Sequence, residues 1–195
     1  MKTLRTLFTC SLLLAASHMM ADKVQVLTVD PVTIEPGGTS EIVVNMDYDT
    51  DETVVGCSFA IYFPEGITSA VYYDEEEDEW VGLTGGDILP KSIKRQLNYI
   101  EQKDGGYLLL FIDMKNKTPF LSTHGELIRI KINASSSFKN GTGELKKISV
   151  SSANSVSLDQ GNIADVQFDF NSGPAPGHDP DELDTDISSL SNVIY

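Results

Sequence analysis

The sequence predicts an all-β protein, an antiparallel β-sandwich of about nine strands. Apolar residues recur at every second position in several short runs, which is the period of a strand with one buried face. Clusters of Gly, Pro, Asn and Asp separate these runs, and none of the runs has a convincing helical period. Because a chain of 195 residues can bury a sizeable core, we expect the runs to pack into one sandwich.

Turn residues divide the chain into a series of predicted strands. In order they are Val24–Val29, Glu41–Tyr48, Val55–Phe63, Ile67–Tyr73, Asn98–Glu101, Tyr107–Asp113, Leu127–Ile132, Lys147–Val150 and Asp165–Phe170. Lys103-Asp104-Gly105-Gly106 between two of them is typical of a hairpin turn. The stretch from Trp80 to Lys94 contains glycine and no clear period, so we expect an irregular segment or a short helix there.

The run from Val55 to Phe63 alternates most clearly. Its predicted core-facing residues are Cys57, Phe59, Ile61 and Phe63, and its predicted outward residues are Gly56, Ser58, Ala60 and Tyr62. Cys57 lies in the core-facing set, so we interpret it as a small buried hydrophobe rather than a catalytic thiol.

The beginning of the chain is predicted to be a secretory signal peptide, residues 1–21. Lys2 and Arg5 precede the apolar run Leu7–Ala16, and the small residue Ala21 ends the segment, which is the pattern of a cleaved leader. The apolar run is shorter than the ~20 residues that a bilayer span requires. We therefore expect a secreted or cell-surface protein whose sandwich occupies residues 22–170.

The end of the chain changes in composition after the last predicted strand. Residues 171–186 combine Pro, Gly and acidic residues with almost nothing to bury, which predicts an extended linker. Residues 187–195 become apolar again. They either dock on the sandwich or open a second module, and we expect the second.

Charge and cysteine content exclude several classes of protein. The net charge is −15, and such a surface repels nucleic-acid phosphates and anionic membranes. One of the two cysteines, Cys10, lies in the predicted leader, so Cys57 has no partner for an intrachain disulfide. The hydrophobic core alone must therefore stabilise the fold.

No grouping of residues predicts catalysis. A nucleophile needs a base and an orienting group close by, and His124 and His178 lie outside any recognisable motif of that kind. The acidic run Asp74–Glu79 supplies the hard oxygen ligands that calcium prefers, with Asp74, Glu76 and Asp78 as candidate ligands. It lacks the spacing of an EF-hand-like loop, so we expect a solvated acidic loop and no cofactor, with calcium binding as the alternative.

A carbohydrate site is the alternative that the aromatic residues suggest. Trp80 is the only tryptophan, and Tyr72 and Tyr73 precede it closely in the sequence. Exposed aromatic rings can stack on the apolar faces of sugar rings. Beside so many acids, Trp80 is expected to lie near the surface, either covering an end of the sandwich or binding a glycan.

Several segments, taken in order, resemble cohesin modules. Gly56–Ile67 resembles their third strand, where an alternating strand, a proline turn and a further apolar strand follow one another. Asp30–Thr39 is similar to the first cohesin turn, and Leu109–Asp113 and Gly125–Ile132 match later strands in order. The resemblance spans Val24–Phe170, and it is also similar in style to the tandem sandwich repeats of secreted Bacteroidetes-type proteins.

The resemblance implies a jelly-roll-type sandwich related to carbohydrate-binding modules, with a non-catalytic role in extracellular assemblies that degrade polysaccharide. It implies that one flat face, including Gly56, Ser58, Ala60 and Tyr62, binds a calcium-loaded dockerin. Gly56 and Ser58 replace the polar pair that cohesins usually carry on that strand. We therefore expect a protein-interaction module with a dockerin-like partner, and the alternative is a carbohydrate-binding module that binds polysaccharide.

Overall fold

Two β-sheets pack face to face in the computed structural model, which describes residues 23–113, 115–154 and 156–174. The predicted signal peptide, the tail and all but the first residues of the predicted linker lie outside the described residues. The fold class predicted from the sequence, an all-β sandwich, is confirmed.

The described residues form thirteen strands, one helical turn and one 3₁₀ turn. The strands are β1 (Leu27–Val29), β2 (Val32–Ile34), β3 (Thr39–Asp47), β4 (Val54–Tyr62), β5 (Ile67–Ser69), β6 (Tyr72–Asp74), β7 (Glu79–Val81), β8 (Leu83–Gly85), β9 (Asn98–Glu101), β10 (Tyr107–Ile112), β11 (His124–Ala134), β12 (Asn140–Ser152) and β13 (Val166–Ser172). The helix α1 is Lys91–Lys94 and the 3₁₀ turn is Leu158–Gly161.

The strands are arranged in two main sheets and one hairpin. One sheet has the order β1-β3-β11-β5, and β8 also pairs with β11. The other has the order β2-β13-β12-β4-β10-β9, and β6 pairs only with β7. Pairing is antiparallel throughout these strands except between β2 and β13, which run parallel. The second sheet places β4 between two long neighbours, so both of its edges are hydrogen-bonded.

Alternating side chains of the two sheets fill the space between them. Phe59 on β4 stacks on Phe111 of β10 with ring centroids 5.6 Å apart, and both rings are fully buried. Cys57 and Ile61 are buried with them, as the alternation predicted. Phe63 lies just beyond β4 and is only half-buried, against Tyr107. The predicted register of β4 is therefore confirmed over the strand itself.

Several predicted segments differ from the structure, and the strand predicted over Lys147–Val150 is part of the much longer β12. The prediction of a single strand over Ile67–Tyr73 is wrong, because the structure divides this segment into β5 and β6. After Ala70 the chain leaves β11, and β6 begins the separate hairpin. The hydroxyl of Ser69 accepts a hydrogen bond from the N–H of Val71 at 3.1 Å and helps to turn the chain there. The stretch from Trp80 to Lys94, expected to be irregular or helical, holds most of β7, all of β8 and α1.

The strand β2 was not predicted, and β13 continues past its predicted end at Phe170. Strand β2 is only three residues long and lies between Pro31 and Pro36, and prolines so close to an apolar run argue against a strand. The last strand ends at Ser172, two residues into the segment assigned to the linker. Its final residues pair with β2, so this parallel pair closes one edge of the six-stranded sheet.

One buried acid organises the loop after β10. Asp113 is fully buried, and its carboxylate accepts hydrogen bonds from the Thr118 hydroxyl at 2.7 Å and from the N–H groups of Lys115 and Asn116. These hydrogen bonds, led by the one from Thr118, lower the pKa of Asp113 to about 2. The ionised form therefore holds the loop in place.

Truncating the central core ring should destabilise the fold strongly. Phe59→Ala removes a fully buried side chain, and we expect a loss of about 3–5 kcal/mol in the free energy of unfolding, measured by chemical denaturation. Leu121→Ala is the matched control, since Leu121 is 70% exposed and should change stability by less than about 0.5 kcal/mol. Equal effects of the two substitutions would contradict the register of β4.

Stability should depend on pH through Asp113. Its folded pKa is depressed, so its contribution is present above the unfolded pKa of about 3.9 and is lost as the pH falls towards about 2. The stability difference between wild type and Asp113→Asn should therefore shrink from pH 5 to pH 2 in urea titrations. A difference that is constant over this range would show that the carboxylate charge is not what holds the loop.

Candidate functional site

The outward face of the six-stranded sheet brings together small, apolar and charged side chains. It is built from β12, β4, β10 and β9, which lie side by side in that order. In an antiparallel pair, directly opposed residues point to the same face. The register between these strands therefore identifies which side chains share this surface.

Strand β4 forms the floor of this face. Gly56, Ser58, Ala60 and Tyr62 alternate with the buried residues of β4, as predicted. Ser58 and Tyr62 are half-buried, whereas neighbouring side chains cover Gly56 and Ala60. A Cβ atom on Gly56 would lie 3.1 Å from Cδ1 of Ile112, so Ile112 leans directly over the glycine. The small residues of β4 thus leave room for the larger side chains of β10.

An apolar ridge lies next to that floor. It consists of Leu108, Leu110 and Ile112 on β10 together with Ile100 on β9. The three residues of β10 stand opposite Ala60, Ser58 and Gly56 and are half-buried, and Ile100 stands opposite Leu108. Ile100 is 45% exposed. The ridge therefore presents aliphatic surface to solvent along one side of the face.

A charged cluster lies where the end of β4 meets β12 and the turn between β9 and β10, and we call it the polar margin: Tyr62, Asp104, Glu144, Lys146 and Lys147. The carboxylate of Asp104 accepts hydrogen bonds from the Tyr62 hydroxyl at 2.9 Å and from Nζ of Lys147 at 3.1 Å. These contacts, Lys147 first, lower the pKa of Asp104. Nζ of Lys146 lies 5.4 Å from the centre of the Tyr62 ring and pairs with Glu144. Tyr62 is therefore held by its neighbours in one orientation.

The other sheet offers a direct contrast. Its outward residues on β11 include Arg129, Lys131 and Asn133, and Arg129 pairs with Glu126 and with Glu41 on β3. That face has the alternation of apolar inside and polar outside that is usual for an antiparallel sheet with one solvated side. The apolar ridge is therefore a property of one face and not of the whole sandwich surface.

The predicted aromatic cluster is divided by the structure. Tyr73 lies opposite Trp80 in the β6–β7 hairpin, so these two rings share one side. Tyr72 lies opposite Val81 and points to the other side, where it is 57% exposed. Neither side of this hairpin belongs to the outward face that contains Ser58 and Tyr62.

Trp80 is more enclosed than its acidic neighbours in the sequence suggest. The ring is half-buried against the core, and Nε1 donates a hydrogen bond to the carbonyl of Leu97 at 2.8 Å. The ring packs against Tyr73 and Tyr99 in T-shaped arrangements, with ring centroids 5.2 and 6.0 Å away. Trp80 is therefore a structural anchor as well as a surface residue, and it cannot be removed without cost to the fold.

The acidic run between β6 and β7 is solvated, as expected. The carboxylate of Asp74 accepts hydrogen bonds from the N–H groups of Glu76 and Glu77, and Asp78 accepts one from the Tyr73 hydroxyl. The hydrogen bond to Asp78 raises the pKa of Tyr73. Within residues 23–174, as far as they are described, no three acidic, His or Cys side chains are placed to hold a metal ion. A calcium site at Asp74, Glu76 and Asp78 remains a prediction without support from this geometry.

The residues considered for catalysis are separate from one another. Cys57 is buried among apolar side chains, and this burial raises the pKa of its thiol to about 12. His124 is exposed, with Nδ1 2.7 Å from a carboxylate oxygen of Asp47 and Nε2 3.5 Å from one of Asp49. A thiol that stays protonated and a distant surface imidazole do not form a nucleophile–base pair.

Most of the outward face was not predicted from the sequence. Of this face only Gly56, Ser58, Ala60 and Tyr62 on β4 were predicted to bind a partner, whereas the ridge on β10 and the lysines of β12 were not. One available signal was the composition of β10, Tyr107–Ile112, which is apolar at every position. A strand of an antiparallel sheet that is apolar on both sides indicates an outward apolar surface.

Comparisons with known proteins bear on the fold. The chain matches no family model and no curated protein at a significant level. Among solved structures it resembles the cohesin CaCohA2 of Clostridium acetobutylicum, crystallised with the dockerin CaDoc0917, at a TM-score of 0.58 and 16% identity over 75% of this chain and 98% of that one. It also resembles the Coh-OlpA cohesin of Clostridium thermocellum, in complex with Doc918, at 0.55 and 16% over 74% and 97%. The cohesin module of a family 33 glycoside hydrolase from Clostridium perfringens matches at 0.54 and 13% over 77% and 99%. Identities this low establish the fold alone: the protein is a cohesin-like β-sandwich.

Proposed function

We propose that this chain is a non-catalytic protein-interaction module that binds a dockerin-type partner through the outward face of its six-stranded sheet. The apolar ridge is the observation that supports this most. Four aliphatic side chains line up on a solvent-facing surface, while the corresponding surface of the other sheet is charged. A contiguous exposed apolar patch of this kind typically marks an interaction site.

The composition of the face suits a protein partner. Protein interfaces commonly combine an apolar centre that loses its water with a polar rim that stays hydrated. The apolar ridge supplies the first, and the polar margin with Asp104, Lys146 and Lys147 supplies the second. The fixed orientation of Tyr62 lowers the entropy that its side chain would lose on binding.

The dockerin assignment is carried over from the structural neighbours. Two of them were crystallised as cohesin–dockerin complexes. Gly56 and Ser58 on β4 stand where cohesins usually carry a polar pair. We therefore expect the partner to contact the apolar ridge instead. Specificity would then differ from that of cohesins whose central strand supplies polar contacts.

The proposed setting is extracellular, in assemblies that degrade polysaccharide. The predicted leader at residues 1–21 supports secretion, and the cohesin resemblance supports the link to polysaccharide. One structural neighbour is itself a cohesin module of a glycoside hydrolase. No helix among the described residues has the length and apolar character needed to cross a membrane.

The outward face offers little to a sugar as its main ligand. Tyr62 is the aromatic residue of its central strand, and the ammonium group of Lys146 lies over its ring. A pyranose ring stacks on an open aromatic face, which this arrangement does not offer. The carbohydrate alternative therefore rests on residues outside this face.

Substitutions on the ridge should weaken partner binding. We expect Ile100→Asp and Leu110→Thr each to lower the affinity for calcium-loaded dockerins at least about tenfold, because each removes apolar area from the interface centre. The whole chain would be immobilised and titrated with a panel of purified dockerins, including CaDoc0917 and Doc918, by biolayer interferometry.

Leu121→Asp serves as the control, since Leu121 is 70% exposed but lies outside the strands of the face. It should bind as the wild type does, and thermal unfolding should show that all three variants are folded. Wild-type affinity in both ridge variants, or no binding of the wild-type chain to any dockerin, would contradict the proposal.

A further inference from the structure

A cleft of about 980 Å³ opens beside the β6–β7 hairpin, next to the edge of the outward face. We call the hairpin residues Tyr73, Glu77, Asp78 and Glu79 its first wall and the segment from Lys94 to Asn98 its second wall. The lining is completed by Trp80 on β7 and by Leu83 and Gly85 on β8, which we call its floor. The cohesin resemblance assigns no role to these residues.

The two walls are fixed relative to each other. The hydrogen bond from Nε1 of Trp80 to the Leu97 carbonyl, 2.8 Å long, ties the hairpin to the opposite wall. The ring of Tyr99 packs against Trp80 and is stacked on Tyr107, with 4.8 Å between the centroids of the two tyrosine rings. The hydroxyl of Tyr99 donates a hydrogen bond to the hydroxyl of Ser69 at 2.8 Å. Because these contacts already fix the position of both walls, a ligand that binds between them causes a smaller loss of conformational entropy.

Charges of both signs face the cleft without pairing across it. Glu77 and Glu79 lie on one wall and Lys94 and Arg95 on the other, and none of the four forms an ion pair within the described part of the chain. Gly85 contributes to this arrangement, because a Cβ there would lie 2.9 Å from Cγ of Lys94. The stem of Lys94 therefore packs over the glycine at the floor.

The remaining polar groups are two planar amides and the carboxylate of Asp78, which accepts the hydrogen bond of the Tyr73 hydroxyl. Gln96 and Asn98 line the second wall, and the ring of Tyr73, 43% exposed, lines the first. Amides, carboxylates and a guanidinium group offer paired donors and acceptors at fixed spacing. An uncharged ligand with many hydroxyl groups can bind both the donors and the acceptors, because each hydroxyl group donates and accepts hydrogen bonds.

We propose that this cleft is a second binding site, for a neutral oligosaccharide. The ring of Tyr73 would contact the C–H face of one sugar residue, and Glu79, Arg95 and Asn98 would bind its hydroxyl groups. Acidic and basic walls together disfavour a ligand that carries a charge of one sign. The site does not rest on the dockerin-type function and shares no residue with the apolar ridge, although Asn98 borders the ridge as the partner of Leu110.

The single tryptophan provides a specific readout. Trp80 is the only tryptophan of the chain and lies at the floor of this cleft, so its emission reports occupancy of the cleft and not of the outward face. The whole chain would be titrated with cellohexaose, xylohexaose, mannohexaose and maltohexaose, with trigalacturonate as the charged comparison. We expect a saturable change in emission with at least one neutral sugar and a much weaker response to trigalacturonate.

Variants locate the site, with affinity measured by isothermal titration calorimetry. Tyr73→Ala and Arg95→Ala should each weaken binding of the responding sugar about tenfold. Tyr72→Ala, on the other side of the hairpin, and Leu121→Asp, outside the cleft, should leave it unchanged. No response to any neutral sugar, a response confined to trigalacturonate, or full affinity in both cleft variants would overturn the proposal, whatever the outcome of the dockerin experiment.

Discussion

The position of β4 between β12 and β10 is the constraint on which both faces of the six-stranded sheet depend. Its inward residues meet the other sheet, and the stacking of Phe59 on Phe111 lies at the centre of that contact. Three of its outward residues, Gly56, Ser58 and Ala60, are small, and Ile112 of β10 lies over Gly56. A slip of one residue would exchange the two sets. The same alternation that builds the core therefore also builds the candidate binding surface.

The two outer surfaces of the sandwich consequently expose different kinds of side chain. The outer surface of the five-stranded sheet carries ion pairs, such as Arg129 with Glu126, which favour hydration. The six-stranded sheet carries the apolar ridge with the polar margin beside it. Hydrated ion pairs on an exposed surface add little to stability. An exposed ridge gains free energy when a partner covers it, which is why we place the proposed interface there.

The sequence predicted the fold class, the register of β4 and the hairpin at Lys103–Gly106, because each depends on a local alternation or a turn. It did not predict the ridge, because an uninterrupted apolar run such as Tyr107–Ile112 does not reveal which of its residues face outwards. The division of Ile67–Tyr73 depends on where the chain leaves β11, which is a tertiary effect. The cleft was not predicted for the same reason, since its two walls come from separate segments and only the first, from Tyr73 to Trp80, was singled out in the sequence.

The most direct test of the interface is methyl NMR of the whole chain labelled at Ile and Leu, titrated with a calcium-loaded dockerin that it binds. The account predicts that the methyl signals of Ile100, Leu108, Leu110 and Ile112 shift, while that of Leu121 stays in place. Shifts confined to residues of the five-stranded sheet or of the cleft, with the ridge unchanged, would contradict it.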